Sequence, residues 1–394
     1  MRVFAASSPE RPPSGDRVWN HLTNTEVEPG MSRRFLAAAM VALALAGCGA
    51  ADTLDFYLQG AAGQYDLLAR ARPIPEVIDA GGDAALSARL ERVREIRAFA
   101  SRDLGLPDNR SYTRYTDLGR PFVLWNVFAA PSLSLKPRQW CFPVAGCVNY
   151  RGYFREEEAR AEAARLRADG DDVQVSGVPA YSTLGWFDDP VLSSFVRWPE
   201  TEVARLIFHE LAHQLLYVKD DSQFNESFAT AVEEAGVARW MAAQNNPALE
   251  AQAIRNQKLR VVFRSILRNT RAKLVALYAS PVSDEDKLAG KAQAFAEMKA
   301  EYDAARQGEP GLAGYDRWFA QGPNNASLAA VAIYNDRVPA FRTLLLESNG
   351  DLPRFYDRVR TLASLPKPER DAALVAAASR GPVTVGSAPE RPFN

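Results

Sequence analysis

The sequence predicts an α+β fold, mainly helical, in which a small mixed sheet precedes a long apolar helix and a helical C-terminal half. Three observations predict it. Between residues 111 and 198, short runs of aromatic and β-branched residues alternate with turn-forming ones. From Glu200 onward the apolar spacing is almost wholly helical. The chain has 394 residues, 47% of them hydrophobic and without a long low-complexity run, enough for a large core.

The elements follow in order. Leu54 to Arg70 and Leu86 to Leu104 are expected helices, the first ended by Pro73 and Pro75. They make residues 48–110 an N-terminal helical segment. Tyr112 to Leu118, Phe122 to Phe128, Ser132 to Leu135 and Cys147 to Tyr153 are strand candidates. The charged run Arg155 to Ala168 is a helix closed by Gly170, and Asp172 to Val178 and Tyr181 to Phe187 are further strands. Residues 111–198 are thus the sheet region. Residues 199–380 hold helices at Glu200 to Tyr217, Asn225 to Ala243, Leu249 to Tyr278, Asp284 to Arg306, Ser327 to Glu347, Leu352 to Leu362 and Pro368 to Ser379. The tail 381–394, with Pro382, Pro389 and Pro392, is expected to fray.

The N-terminus reads as an address. Residues 1–30 are polar and proline-bearing, expected to be disordered and an extension ahead of a true start at Met31. Ser32-Arg33-Arg34 is a basic stretch, and Phe35 to Ala46 is an apolar run too short to span a bilayer comfortably. Leu45-Ala46-Gly47-Cys48 closes it and resembles the bacterial lipobox. Residues 31–47 are then a signal peptide, and the resemblance implies lipidation of Cys48. Gly49 and Ala50 follow, without the aspartate associated with inner-membrane retention. The expected location is the outer membrane, facing the periplasm. Multiple acyl chains anchor a domain firmly. Formal net charge is -1, which gives no bulk attraction to nucleic acid. Oligomeric state is not legible.

Cys141 and Cys147 remain. Pro143 and Gly146 can turn the chain between them, and export to an oxidising compartment favours a disulfide; the alternative is two buried thiols.

The chemistry concentrates at His209-Glu210-Leu211-Ala212-His213. Only three histidines occur, and two fall here. On a helix, residues four apart share a face, so His209 and His213 can aim at one metal. The pattern suits Zn2+: two imidazoles, an open position, and Glu210 beside the site as general base. Flanking residues Val203 to Phe208 and Leu215 to Tyr217 bury this helix, where three polar side chains need a common purpose. The third ligand must be an acid, because His21 lies outside residues 48–394. Glu226, at the start of the next helix, is the first candidate. Glu233, one heptad on, is placed to support a ligand histidine, with Glu233 or Glu234 as the alternative third ligand.

The order of elements is typical of zincin peptidases. His209-Glu210-Leu211-Ala212-His213 followed by Asn225-Glu226 resembles the gluzincin metallopeptidases, whose third ligand is a glutamate in an Asn-Glu context. The gap between histidine and glutamate is shorter here, and Thr230 stands where those enzymes often carry aspartate. Over roughly residues 48–365 the chain resembles a bacterial aminopeptidase family of lipoprotein-like zinc proteins. The resemblance rests on the Cys141–Cys147 segment, Asn149 to Phe154, Tyr181 to Phe187, the zinc helix and Asn225 to Ala229.

That resemblance implies a zinc aminopeptidase acting on peptides. Gluzincins place a substrate-pairing edge strand where Tyr181 to Phe187 lies, so Gly185 and Trp186 are candidate substrate contacts. Asp188 and Asp189 are candidates to hold the substrate amine, a turn before Pro190 being the simpler alternative. A tyrosine is expected to steady the developing oxyanion: Tyr334, with Tyr150 and Tyr153 also in view. Endopeptidase or cell-wall peptide hydrolysis by the same chemistry, and a non-catalytic zinc-binding scaffold, are the alternatives.

Overall fold

Proline and glycine set the first boundaries. Helix α1 (55–69) is followed by β1 (Arg72–Pro73) and α2 (Ile74–Asp79), with proline in the first turn of α2. Gly81 at positive φ turns the chain into α3 (Ala84–Arg102), where the Asp83 side chain accepts hydrogen bonds from the Ala85 and Leu86 amides. These elements belong to a computed structural model that describes residues 55–142, 146–332 and 337–381. The chain divides into units Met1–Tyr57 and Leu58–Asn394, and the elements from β1 onward lie in the second. The lipobox and Cys48 lie outside the described residues.

The strands follow. They are β2 (Arg114–Thr116), β3 (Leu124–Pro131), β4 (Trp140–Phe142), β5 (Gly146–Val148) and β6 (Arg151–Tyr153). After helix α4 (Glu156–Ala168) come β7 (Asp171–Val178) and β8 (Val191–Leu192). They form three small sheets: β1-β2-β8, β6-β3-β7 and the hairpin β4-β5. Strand β3 is buried along nearly its whole length because it is central, antiparallel to β6 on one side and β7 on the other. Helix α4 packs on this sheet. It carries three glutamates in its first turn and two arginines in its last, both favourable to the helix dipole.

Two expected strands do not form. Residues 132–135 are a turn, closed by the Ser134 amide on the Pro131 carbonyl. Residues 181–187 are irregular chain ending in a tight turn in which Leu184 and Gly185 both adopt positive φ. The strand expected over Tyr112 to Leu118 shortens to β2, since Tyr112 and Gly119 flank it in left-handed conformations. Composition cannot show such backbone settings in advance.

The helical half comprises α5 (Glu200–Leu215), α6 (Ser222–Gln244), α7 (Pro247–Ala279), α8 (Asp284–Gly308), a 3-10 turn (Pro310–Tyr315) and α9 (Asp316–Ala320). It continues with α10 (Asn325–Ala332), α11 (Val338–Glu347), α12 (Leu352–Ala363) and α13 (Lys367–Arg380). The single helix expected over Ser327 to Glu347 is thus two, α10 and α11, with 333–336 outside the described residues. Helix α10 covers the β3-β7 sheet. One core joins α3, α5, α6 and α11 to α13; a second joins α7, α8 and α9.

Helix α5 is fixed by its apolar face. Val203, Ala204, Ile207, Phe208, Leu211 and Ala212 are all at most 3% exposed. Each large side chain among them contributes roughly 1.5–3 kcal/mol on burial, so the rotation of the helix has no freedom. Gly236 of α6 lets that helix approach. A Cβ there would lie 2.7 Å from the Phe208 ring and 2.8 Å from Leu104. Both neighbours are themselves buried. We expect Gly236→Ala to destabilise the protein by about 1–3 kcal/mol through overpacking. Urea unfolding measures it, and a midpoint at or above the parent's would contradict this packing.

Candidate metal centre

The centre is made by two consecutive helices. The buried face of α5 leaves His209, Glu210 and His213 along one edge, the histidines one helical turn apart. Six residues, 216–221, return the chain to α6, which packs closely on α5. Asp221 caps α6 by accepting from the Phe224 amide at 3.2 Å. Glu226 and Glu233, two turns apart, both face α5.

Three ligand atoms converge, one each from His209, His213 and Glu226, all within 4.8 Å of one another. His209 Nε2 lies 3.1 Å from His213 Nε2 and 3.2 Å from Glu226 Oε2. His213 Nε2 lies 3.7 Å from Glu226 Oε1. Bonds of about 2.0–2.1 Å to a tetrahedral zinc separate ligand atoms by about 3.3 Å, so the donor set and spacing fit that ion. The alternative ligands are engaged elsewhere. Glu233 Oε2 holds His209 Nδ1 at 2.8 Å, and Glu234 forms a two-pronged pair with Arg342 at 2.7 and 2.8 Å.

The surroundings pin these groups. Arg205 Nη1 donates to Glu233 Oε1 at 2.9 Å, so Glu233 is held from one side while it holds His209 on the other. The Asn225 side chain bonds both the amide and the carbonyl of Val218 at 2.8 Å, closing the loop between the two ligand helices. Cys141 and Cys147 are disulfide-bonded in the β4-β5 hairpin, and the Cys147 amide donates to Asp220 in that same loop at 2.8 Å. Asp221 is buried against Arg370 at 2.8 Å.

Electrostatics follow from burial and these contacts. Burial alone would lower the His209 imidazole, but Glu226 and Glu233 overturn it and hold it well above its usual value. Burial raises the carboxyl of Glu226, and the two histidines more than compensate, keeping it well below the ordinary range. Glu233 is likewise depressed, by His209 and Arg205 against the effect of burial. Glu210 moves the other way: burial raises its carboxyl, and His209 and His213 only partly oppose this. Among the described residues no side chain hydrogen-bonds the Glu210 carboxylate.

The remaining candidates separate. Gly185 sits over Gln214, the neighbour of His213; a Cβ at Gly185 would meet that side chain at 3.6 Å, and Trp186 is 74% exposed on the same turn. Asp189 is bound into its own loop. It is 3% exposed, and its carboxylate accepts from Ser182 Oγ and from Thr183 N and Oγ1, so it builds the turn beneath Trp186. Asp188 pairs with Arg110 at 3.4 Å on the surface. Of the tyrosines, Tyr334 lies outside the described residues. Tyr153 is packed into β6 at 7% exposure. Tyr150 lines a small cleft with Tyr217, Asn225 and Glu226. Burial, together with the Glu226 and Glu210 charges, pushes its hydroxyl upward, so it stays protonated.

Some of the site escapes sequence reasoning. Arg205 had a signal, one turn before His209 on the same helix. Tyr112 had none: it is a buried tyrosine at φ 64, its amide on the Asp189 carbonyl, its hydroxyl without a hydrogen-bond partner. Burial raises that hydroxyl well above its usual value, with Glu210 and Asp189 adding to the effect.

A family model described as "Putative aminopeptidase" matches residues 55–374. No curated protein and no solved structure matches the chain.

Glu233 anchors only one ligand; Nδ1 of His213 has no hydrogen-bond partner. Glu233→Gln is therefore expected to weaken zinc binding about 10–100-fold without abolishing it. Competition against a chromophoric chelator reads this directly, and an affinity equal to the parent's would remove Glu233 from the centre.

Proposed function

Because the chain belongs to the "Putative aminopeptidase" family, we propose that it is a zinc-dependent peptidase whose metal is held by His209, His213 and Glu226. The observation that carries the reading is the convergence of those three donors within 4.8 Å of one another, with Glu210 next to His209 on the same helix. When bound, zinc supplies a Lewis acid that polarises a peptide carbonyl and acidifies water.

The chain's own residues do the rest. Glu210 is the general base. Its carboxylate is hydrogen-bonded to no other side chain among the described residues, and burial raises its proton affinity toward the range where transfer in both directions is effective. It takes the proton from water and passes it to the departing amine nitrogen. Tyr150 stays a donor at neutral pH and is the tyrosine we assign to the carbonyl oxygen as charge develops there. The turn bearing Gly185 and Trp186 forms the rim over Gln214 and offers the substrate an apolar surface.

Aminopeptidase action is the form we propose, although neither Asp188 nor Asp189 is free to bind the amine. Anchoring by lipid at Cys48, at the outer membrane and facing the periplasm, completes the reading. It is supported by the basic, apolar and small-residue order of residues 32–48.

Glu210→Gln is expected to keep one zinc per chain and lose about 10²–10⁴-fold in kcat on a peptide library. Metal analysis beside product mass spectrometry tests this, and an undiminished rate would sink the mechanism. Free peptides should be trimmed and N-acetylated ones left intact; internal cuts in the acetylated set would replace the aminopeptidase reading with an endopeptidase one. Cys48→Ser should abolish incorporation of labelled palmitate during expression, and retained label would exclude Cys48 as the lipid site.

A further inference from the structure

Beside the metal centre, a cavity of about 430 Å³ opens between the β3-β7 sheet and helices α7 and α9. That volume suits a side chain or a short peptide end. Its walls are stiff and aromatic. Phe263 stacks on Tyr315 at 3.9 Å, and Trp318 meets the Phe263 ring edge-on at 5.3 Å. Phe128 belongs to this wall, and its ring lies 5.7 Å from that of Tyr150, which lines the small cleft with Glu226. The cavity and the metal centre are therefore neighbours along one sheet face.

Two polar groups in this apolar lining lack partners. Arg264 reaches it from α7 and makes neither a hydrogen bond nor an ion pair among the described residues. Among the described residues, the acids around it are engaged elsewhere. Glu233 serves His209 and Arg205, and Glu234 serves Arg342. Glu202 is taken by Arg260, one turn before Arg264, at 2.9 and 3.1 Å. The second group, Asn126 Oδ1, also lacks a hydrogen-bond partner, but it is buried against Gly152 of β6, where a Cβ would lie 3.1 Å from it, and does not open to the cavity. A partly buried guanidinium in an apolar lining with no counter-charge is costly to keep. Burial lowers the Arg264 guanidinium, with Glu234 and Glu233 opposing. A structural arginine would be matched to one of the neighbouring carboxylates, as Arg205, Arg260 and Arg342 all are.

We propose that this cavity recognises a carboxylate through Arg264, so that the peptide cleaved at the metal centre carries an acidic group. Guanidinium matches carboxylate in a planar, two-pronged fashion, and the aromatic walls around Arg264 offer apolar surface to the rest of the ligand. The proposal rests on the peptidase reading for the word substrate. The recognition itself does not depend on turnover. The carboxylate has two possible sources, an acidic side chain or the free C-terminus of a short peptide.

The test separates them and separates the two readings. Titration calorimetry on the zinc-loaded Glu210→Gln protein would compare Ala-Glu-Ala-Ala, its Gln isostere and the C-terminal amide of each. The charged ligand should bind about tenfold or more tightly than its neutral counterpart. Loss of affinity on Glu-to-Gln exchange assigns the side chain; loss on amidation assigns the C-terminus. Arg264→Gln should erase the preference, and Arg264→Lys should restore part of it in a protein of the same fold. Equal affinity for all four peptides, or a preference that survives in Arg264→Gln, overturns the proposal. The unmodified protein is then assayed for hydrolysis of the same peptides. If binding discriminates but no peptide is cut, the peptidase reading fails and the carboxylate pocket stands.

Discussion

A buried carboxylate must be given a partner, and Glu233 has two. It accepts from Arg205 on one oxygen and holds His209 on the other. Arg205 also faces Glu202, and Glu202 faces Arg260. Beyond His209 stands Glu226. Arg260, Glu202, Arg205 and Glu233 thus alternate in sign across three helices, α5, α6 and α7. Each charge is tolerated inside the protein only because its neighbours carry the opposite sign. The apolar packing of α5 and α6 follows from the same need, since the alternation holds only at one rotation and one spacing of the helices. Gly236 supplies the spacing, and the fully buried face of α5 supplies the rotation.

Much of this is legible in the sequence alone. The period of the apolar residues marks the helices from α3 to α8 nearly to their ends. The four-residue spacing of His209 and His213 implies the shared face, and the scarcity of histidine directs attention to Glu226. The heptad from Glu226 to Glu233 places the second acid behind the first histidine. These features are local: each depends on helical geometry, which sequence spacing encodes directly.

What is not legible depends on contacts between distant segments or on backbone settings without a compositional mark. Tyr181 to Phe187 reads as a strand by residue type, yet Asp189 folds it into a turn with three hydrogen bonds. The same bonds commit most of the Asp189 carboxylate to its own loop, a role that residue type does not show. Tyr150 could not be ranked above Tyr153 from sequence. Only the break between β5 and β6 turns one toward the metal cleft and packs the other in the sheet. The unpaired state of Arg264 is a property of three other arginines having taken the nearby acids.

Asp221 lies 2.8 Å from Arg370 of α13, 149 positions further along the chain. Asp221 is also the cap of the helix that carries Glu226. Seen in time instead of space, the two ligand helices are synthesised early and the clamp on their junction arrives late. A chain growing from its N-terminus presents His209, His213 and Glu226 long before the residue that neutralises the cap has been made. The order of synthesis therefore leaves the centre to be finished by α13, and a chain halted before Lys367 carries every candidate ligand and an unpaired acid at the hinge between them.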